Sequence, residues 1–241
     1  MVTEGYRARV QPYVDRISSP FLGWQPARLS YLAFGLSVAA GALAASVRFT
    51  TPLLFLPVAL LIFLGGLFDV VDGDVARKTG RASPRGDLLD HVLDRYADVA
   101  ILLGIAASGF ANPLLALLAL VSLLLTSYMG TQAQAVGLGR QYGGLLSRAD
   151  RLVVLAFVTF LEFDWSLPWP WAPTAPWSRL SLAGYGFTVI DLSLVAFVLV
   201  GQVTAVSRAR WAYASLAATP GPVPAHVAGD GRSATEPPRQ R

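Results

Sequence analysis

Long apolar runs are the feature that most limits how this chain of 241 residues can fold. Only 14% of its residues are charged, whereas a soluble domain usually carries about 25% charged residues. A helix needs roughly 20 consecutive apolar residues to cross a bilayer. Six segments approach that length, at about 28–47, 52–77, 86–108, 113–136, 151–161 and 185–206. The sequence therefore predicts an all-α integral membrane bundle of six transmembrane helices, of which the fifth is the shortest.

The basic residues lie mostly in alternate loops between these segments. If the N-terminus is cytoplasmic, Arg48 and Arg179 are the basic residues that fall outside. This asymmetry predicts a multi-pass protein of the cell (plasma) membrane with both termini in the cytoplasm. Residues 165–177, which include four Trp and four Pro, then form an interfacial loop at the outer surface, because indole rings prefer the headgroup region.

The two ends of the chain differ from its apolar middle. Residues 1–28 lack the early apolar core of a cleavable signal. They predict a juxtamembrane amphipathic helix, with a partly disordered leader as the alternative. Its anchoring residues would be Tyr6, Val10, Tyr13, Val14 and Ile17. Residues 217–241 are rich in Pro, Gly, Ala, Ser and charge, and they predict a disordered cytoplasmic tail. Residues 1–216 would form one membrane domain.

Composition excludes several kinds of site. The chain has no Cys, and its histidines are His91 and His226. A disulfide framework, a thiolate metal site and a multi-histidine metal site are therefore excluded. The net charge of +4 is spread over the ends of apolar segments, as expected of a membrane surface. We expect no nucleic-acid partner.

Acidic residues are concentrated in the second and third predicted spans, where charge is costly. Asp69 and Asp72 are three residues apart, and Asp90 and Asp94 are four apart, so each pair shares a helix face. Antiparallel neighbouring helices joined by the short loop 78–85 would bring the two faces together. Oxygen ligands favour Mg²⁺, Mn²⁺ or Ca²⁺. Two such ions would neutralise a pyrophosphate and stabilise a leaving nucleotide.

Small and basic residues stand on the same helical turns. Gly73, Ala76 and Gly86 would let a flat base or a phosphate approach the backbone. Arg77 can contact phosphate through its planar guanidinium group. From charge alone, a proton relay or an ion-coupled transporter remains an alternative. Such a carrier usually disperses its acidic residues near the midplane, often in related halves, and this chain shows no repeat.

The sequence assigns no catalytic or metal-binding role to three further aspartates. Asp74 and Asp87 are interpreted as solvated helix ends. Asp98 lies one turn beyond Asp94 and is expected to pair with Arg95 or with a neighbouring helix.

The run 69–94 reads DVVDGDVARKTGRASPRGDLLDHVLD, and it resembles the signature of the CDP-alcohol phosphotransferase family. That signature is Asp, two residues, Asp-Gly, two residues, Ala-Arg, eight residues, Gly, three residues, Asp, three residues, Asp. All eight fixed positions are matched, at Asp69, Asp72, Gly73, Ala76, Arg77, Gly86, Asp90 and Asp94. Eight positions at fixed spacing are far more specific than a lone glycine pattern, and a noncatalytic scaffold would have no reason to keep them.

The resemblance implies a lipid-headgroup transferase in phospholipid biosynthesis. Such an enzyme moves a lipid phosphate from a CDP-linked lipid to a hydroxyl and releases CMP. Asp69, Asp72 and Asp90 would be the principal ligands of two Mg²⁺ or Mn²⁺ ions. Asp94 would touch one ion and act as the general base that takes the proton from the acceptor hydroxyl.

The resemblance also implies a CDP-lipid site and a homodimer. The residues lining that site would be Asp69, Asp72, Gly73, Ala76, Arg77 and Gly86.

The segment 127–151, together with a late arginine, is similar to the inositol-phosphate branch of the family. The shared features are Ser-Tyr, Gly-Gly and Arg-x-x-Arg groups and the late arginine, at Ser127, Tyr128, Gly143, Gly144, Arg148, Arg151 and Arg208. Three arginines suit a phosphorylated acceptor, because a dianionic phosphate needs several charge-assisted donors. Ordinary positive charge on the cytoplasmic side is the alternative for the basic residues of the segment.

One part of this segment departs from the bacterial pattern. Gly130 and Gln132 stand where bacterial relatives of this branch have basic residues. The version with Gln132, a further candidate for the acceptor site, resembles the archaeal form and implies CDP-archaeol as the donor. Gln132 and Gln134 are interpreted as buried amides that need partners. Glycerol phosphate and serine remain alternative acceptors.

Overall fold

The computed structural model describes residues 11–139, 147–166, 180–182 and 185–218, which are almost entirely helical. Residues 11–18 form α1. The longer helices are α2 (Pro26–Ser46), α3 (Phe55–Lys78), α4 (Pro84–Ala107), α5 (Pro113–Ala135), α6 (Arg148–Ser166) and α7 (Val189–Ala218). Short 3-10 turns occupy Ser19–Phe21, Val47–Phe49 and Pro52–Leu54.

Capping side chains explain where two of these helices begin. Pro84 lies in the first turn of α4, where its missing N–H removes no helical hydrogen bond. Ser83 Oγ accepts a hydrogen bond from the amide of Gly86 at 3.1 Å. Asn112 Oδ1 accepts one from the amide of Leu114 at 2.9 Å before α5. Both caps satisfy amides that have no partner within the helix.

Four helical stretches are long and apolar enough to cross a membrane by length and composition. They are Pro26–Phe49, Pro52–Lys78, Pro113–Ala135 and Val189–Ala217. The other two long helices are more polar, because α4 carries four aspartates and α6 carries five charged residues. The described residues thus form a multi-pass helical bundle, and the count of six spans remains a prediction.

Helix α2 is the main packing partner of both helices that carry the acidic motif. It packs along α3 and along α4, while α6 packs on α3 and α7 packs on α5. The two helices that we predicted as neighbours therefore both pack extensively on a shared third helix. Small residues are the physical reason. A Cβ atom added to Gly104 would collide with the backbone of Gly41, and one added to Gly41 would collide with the Ala100 carbonyl.

One apolar core extends between helices α2 to α7. Its large, almost fully buried side chains include Phe55, Ile62, Ile101, Ile105, Leu194 and Phe197. A second small cluster, Leu29, Val71 and Val75, packs α2 against the end of α3 that carries the motif. This cluster fixes the relative position of the two helices next to the carboxylates.

The all-α prediction is wrong at one place. Leu180–Leu182 and Tyr185–Phe187 form an antiparallel pair, in a part of the sequence where glycine lowers helix propensity. Helix α7 therefore begins at Val189, later than predicted. Thr188 Oγ1 accepts from the amide of Asp191 at 3.1 Å, and Asp191 Oδ2 accepts from the amide of Thr188 at 3.0 Å. This reciprocal cap sets the start of the helix.

Several predicted features fall outside the described residues. They are Tyr6, Val10, most of the loop 165–177, the pair Gly143 and Gly144, and the tail from residue 219 onward. The predicted tail began at residue 217, whereas residues 217 and 218 belong to α7. Within α1, Tyr13 is 71% exposed and Ile17 is 40% exposed. Their contact with a membrane surface remains a prediction.

Candidate metal and phosphate site

Three carboxylates from α3 and α4 meet in one place. Asp69, Asp72 and Asp90 each offer one oxygen, and these oxygens all lie within 4.8 Å of one another. Asp72 is buried and the other two are partly buried. The predicted convergence of these side chains is therefore observed. Three hard oxygen donors at this spacing fit a divalent ion such as Mg²⁺ or Mn²⁺.

A second group of possible ligands overlaps the first. One oxygen of Asp90, one oxygen of Asp94 and one ring nitrogen of His91 also lie within 4.8 Å of one another. His91 Nε2 is also 3.5 Å from Asp87 Oδ1. His91 was not predicted from the sequence as a single ligand. Its position three residues before Asp94 places it on the same helix face, and that spacing is the signal that would have identified it.

Ser30 on α2 orients one of the carboxylates. Its Oγ atom donates a hydrogen bond of 2.5 Å to Asp72 Oδ2. Both residues are buried, so this bond fixes the rotamer of a carboxylate that has little access to water. Ser30 was not predicted from the sequence, because spacing along one helix does not identify a donor on another.

Arg148 crosses from α6 to the acidic residues of both α3 and α4. Its Nη1 atom lies 2.5 Å from Asp69 Oδ1 and 2.7 Å from Asp94 Oδ1. Its Nε atom lies 3.7 Å from Asp98 Oδ1. The packing of α6 on α3 brings the guanidinium to this position. The sequence predicted Arg148 as an acceptor ligand but not its contact with the carboxylates.

Asp98 lies beneath the carboxylates and is almost fully buried. Its Oδ2 atom is 3.3 Å from Arg95 Nη1 and 3.7 Å from Arg151 Nη2. The prediction that Asp98 pairs with Arg95 or with a neighbouring helix is confirmed for both partners. Asp98 thus holds Arg151 next to the acidic cluster, one helical turn from Arg148.

The remaining residues of the eight-position motif lie at the ends of α3 and α4. The Arg77 side chain is 67% exposed, with Nη2 3.7 Å from Asp74 Oδ1. A Cβ atom added to Gly73 would lie 3.3 Å from Arg77 Nη1. Ala76 is half-buried and Gly86 is exposed. Arg77 is therefore accessible to a ligand beside a glycine that lets the ligand approach the backbone.

The other predicted acceptor residues have different surroundings. Arg208 Nη1 donates a hydrogen bond of 2.7 Å to the backbone carbonyl of Thr126 on α5. Thr126 and Arg151 line the same small cavity between α5, α6 and α7.

Gln132 and Gln134 are both exposed. Their interpretation as buried amides is wrong, because they lie on the last turn of α5, which ends at Ala135.

Asp74 is not the solvated helix end that the sequence predicted. Its carboxylate is buried and accepts hydrogen bonds from Ser18 Oγ at 2.6 Å and Gln11 Nε2 at 3.1 Å. Lys78 Nζ is 2.5 Å from Asp74 Oδ2 and 2.6 Å from Asp15 Oδ1. Hydrogen bonds from Lys78 and Gln11 lower the pKa of the exposed Asp15 carboxyl. These contacts attach α1 to the end of α3.

Asp87, in contrast, is exposed in the first turn of α4, as predicted. The difference arises because α1 covers the end of α3.

Comparison with known proteins agrees with this geometry. Residues 26–183 match the model of the CDP-alcohol phosphatidyltransferase family. The archaetidylinositol phosphate synthase of Methanothermobacter thermautotrophicus is 35% identical over 185 residues, which cover 77% of this chain and 87% of that protein. The phosphatidylinositol phosphate synthase of Mycobacteroides abscessus is 33% identical over 145 residues, covering 58% of this chain and 64% of that protein.

Solved structures show the same fold. A phosphatidylinositol phosphate synthase of Mycobacterium tuberculosis with CDP-DAG bound has a TM-score of 0.61 at 23% identity, covering 82% of this chain and 94% of that chain. The same protein in complex with manganese and citrate has a TM-score of 0.62 at 22% identity, covering 83% and 88%. The family model and the relatives together show that this chain belongs to the CDP-alcohol phosphatidyltransferase family of membrane enzymes.

Proposed function

We propose that this enzyme transfers a lipid phosphate from CDP-archaeol to a hydroxyl of 1L-myo-inositol 1-phosphate and releases CMP. One observation carries the proposal: Arg148, from the acceptor segment, lies 2.5 Å from Asp69 and 2.7 Å from Asp94 of the transferase motif. A cation for the acceptor phosphate therefore stands beside the acidic residues. The relative that is 35% identical is an archaetidylinositol phosphate synthase, which supports the same donor and acceptor.

Asp69, Asp72 and Asp90 would hold two divalent ions, with Asp94 in contact with one of them. Their oxygens lie close enough together to share ions, and one solved neighbour contains manganese. When bound, Mg²⁺ or Mn²⁺ would neutralise the pyrophosphate and polarise the phosphorus that is attacked. Ser30 keeps Asp72 in the orientation that this requires.

Asp94 would be the general base. It is buried, next to Asp90 and within reach of Arg148. In the transfer, the acceptor oxygen forms a bond to the lipid-linked phosphorus, and its proton passes to an Asp94 oxygen. The bond from that phosphorus to the CMP oxygen breaks, and CMP leaves with the electron pair. A positioned base of this kind contributes about 10²- to 10⁴-fold to a rate.

The CDP end of the donor would lie along the exposed end of α3. Gly73 and Ala76 leave room for the cytidine and its phosphates, and Gly86 does the same at the start of α4. Arg77 is exposed beside Gly73 and would bind a phosphate oxygen. Asp69 and Asp72 would meet the same phosphates through the ions.

The acceptor phosphate would bind among Arg148, Arg151 and Arg208. Arg208 donates to the backbone carbonyl of Thr126, and Thr126 and Arg151 line one small cavity. Arg208 would therefore reach the phosphate from α7, and the other two arginines would reach it from α6. Gln132 lies exposed on the last turn of α5 and would contact the inositol ring or its phosphate. Three cationic donors suit a dianionic phosphate better than a zwitterion such as serine.

The membrane arrangement follows from the same site. We place the carboxylates at the cytoplasmic face of the plasma membrane, because Lys78, Arg81 and Arg85 lie in or beside the loop between α3 and α4. The polar helices α4 and α6 would also cross the membrane, with their charges facing the site, giving six spans. Helix α1 would lie on the cytoplasmic surface. The enzyme would act as a homodimer, and the residues up to the end of α7 at Ala218 would form one membrane domain in each chain.

An ion-coupled carrier is the less favoured reading of the same charges. The acidic residues lie on adjacent turns of two helices and form one cluster with arginines. Membership of a transferase family accounts for that cluster, whereas transport does not require it.

An assay of donor and acceptor choice tests the proposal. The purified full chain is supplied with CDP-archaeol or CDP-diacylglycerol, Mn²⁺, and inositol 1-phosphate, glycerol phosphate, serine or free inositol. We expect product with inositol 1-phosphate and a preference for CDP-archaeol. Product formed only with glycerol phosphate or serine would overturn the acceptor, and a preference for CDP-diacylglycerol would overturn the donor.

A further inference from the structure

Arg148 uses oxygens that a divalent ion at the motif also needs. Its Nη1 atom lies 2.5 Å from Asp69 Oδ1 and 2.7 Å from Asp94 Oδ1, one oxygen on each side of the motif. Asp69 is also a member of the group with Asp72 and Asp90 whose oxygens approach within 4.8 Å. A guanidinium and a metal ion that share carboxylate oxygens compete, because each neutralises the same negative charge.

A second anionic partner lies on the other side of the same guanidinium. Arg148 Nε is 3.7 Å from Asp98 Oδ1, and Asp98 is buried. Arg148 therefore retains a counter-charge if it leaves Asp69 and Asp94, so its side chain can stay in the protein without becoming an isolated buried charge. Arg148 lies in the first turn of α6, and its side chain is 13% exposed.

We propose that Arg148 is an internal counter-ion that competes with divalent ions for Asp69 and Asp94 and thereby couples metal binding to acceptor binding. This inference rests on the proposed function of Arg148 as an acceptor ligand. When Asp69 and Asp94 take up a cation, Arg148 moves away from them and remains beside Asp98. Its Nη donors then become available to the phosphate of the acceptor. An acceptor that bound before the ions would find Arg148 engaged with the carboxylates.

The charges of the cluster agree with this order. Without ions, Arg148 offsets part of the repulsion between Asp69, Asp94 and Asp90. With ions in place, the same arginine adds to a net positive charge that attracts an anion. Because coupling between two binding sites is reciprocal, the acceptor should bind more tightly when the ions are present, and the ions more tightly when the acceptor is present.

Direct measurement of Mn²⁺ binding tests the competition without relying on turnover. Mn²⁺ is titrated into the full chain in nanodiscs, free of CDP-lipid, and bound metal is followed by calorimetry and by electron paramagnetic resonance. We expect Arg148→Gln to bind Mn²⁺ about tenfold more tightly than the wild type, a difference of ~1.4 kcal/mol. Arg148→Lys, which keeps the charge without the guanidinium fork, should fall between the two.

Two other arginines provide matched controls for the loss of one charge. Arg151→Gln removes a buried guanidinium on the same helix, which forms an ion pair with Asp98. We expect the affinity of this variant for Mn²⁺ to change by less than about threefold. Arg210→Gln removes an exposed charge near the end of α7, and we expect no change. If Arg151→Gln raised the affinity for Mn²⁺ as much as Arg148→Gln, the proposal would be overturned, because any lost positive charge would then have the same effect.

Thermal unfolding keeps the test decisive if Arg148→Gln is poorly folded in EDTA. We expect the unfolding temperature of this variant to fall in EDTA and to rise further on adding Mn²⁺ than that of the wild type. A folded Arg148→Gln that binds Mn²⁺ no more tightly than the wild type would overturn the competition.

Acceptor binding separates this inference from the proposed function. Inositol 1-phosphate is titrated with and without Mn²⁺. In the wild type, Mn²⁺ should increase its affinity at least fivefold, and in Arg148→Gln the increase should be much smaller, because only the charge of the ions then contributes to it. Tight, Mn²⁺-independent binding to the wild type would overturn the coupling alone. Failure to bind inositol 1-phosphate under either condition would overturn the proposed acceptor, while the Mn²⁺ titrations would still decide the competition.

Discussion

Ser30 on α2 donates a hydrogen bond of 2.5 Å to Asp72 Oδ2 on α3. This bond joins the helix that holds the bundle together to a carboxylate of the transferase motif. Partners of this kind orient metal ligands, and their loss typically costs 10- to 100-fold in metal affinity or activity.

We therefore expect Ser30→Ala to lower kcat/KM by about 10- to 100-fold and to raise the Mn²⁺ concentration needed for half-maximal rate. Ser46→Ala is the matched control, because Ser46 Oγ donates within α2 to the carbonyl of Leu43 at 2.7 Å. The control should retain wild-type kinetics. Equal activity of Ser30→Ala and Ser46→Ala would show that the bond to Asp72 has no role in catalysis.

Asp94 provides a test of the assigned base. Asp94→Asn keeps the size of the side chain but cannot take a proton, so we expect turnover to fall by at least about 10²-fold. Binding of CDP-lipid should change little. Rates and CDP-lipid affinity are measured on the same preparation, with Asp87→Asn as the control, because Asp87 is an exposed aspartate on the same helix. Full activity in Asp94→Asn would exclude Asp94 as the base.

Gly104 tests the close packing of α2 and α4. A Cβ atom at this position would collide with the backbone of Gly41, so Gly104→Ala should destabilise the fold by about 1–3 kcal/mol through overpacking. The measurement is the unfolding temperature of the purified protein in detergent. In Gly35→Ala, the added Cβ meets no atom within 4 Å, and its unfolding temperature should be unchanged or slightly higher. A similar result for both variants would contradict the close approach.

The contacts of Asp74 predict a local effect on α1. Asp74→Asn removes the charge that binds Lys78 and weakens the bonds from Ser18 and Gln11. Hydrogen bonds to charged groups contribute about 1.5–3 kcal/mol each, so amide exchange in residues 11–18 should become at least about tenfold faster. Exchange within α5 serves as the internal control and should not change. Unaltered protection of residues 11–18 would show that other contacts hold α1.

Much of the fold follows from patterns along one helix. Apolar length predicts the boundaries of α2 to α5 to within about three residues, and the spacing of Asp69, Asp72 and Asp90 predicts that their carboxylates meet. Each of these features depends on the local geometry of the backbone. This local geometry can be predicted from the sequence because the helical period is constant.

Contacts between distant helices were harder to predict. Nothing in the spacing indicates that Ser30 reaches Asp72, that Arg148 reaches Asp69, or that α1 covers Asp74. These contacts depend on which helices pack together, and that choice is made by small residues such as Gly41 and Gly104 across an interface. Asp74 was therefore wrongly interpreted as solvated, whereas Asp87, which is exposed in the part of the chain that the structure describes, was interpreted correctly.

The central claim is that Asp69, Asp72 and Asp90 bind divalent ions together. The most direct test is the anomalous scattering of Mn²⁺ in crystals of the full chain, collected with CDP-lipid present. We predict Mn²⁺ peaks within coordination distance of oxygens from all three residues, and the loss of these peaks in Asp72→Asn. Crystals in which Mn²⁺ binds elsewhere, or binds only one of the three carboxylates, would contradict the account.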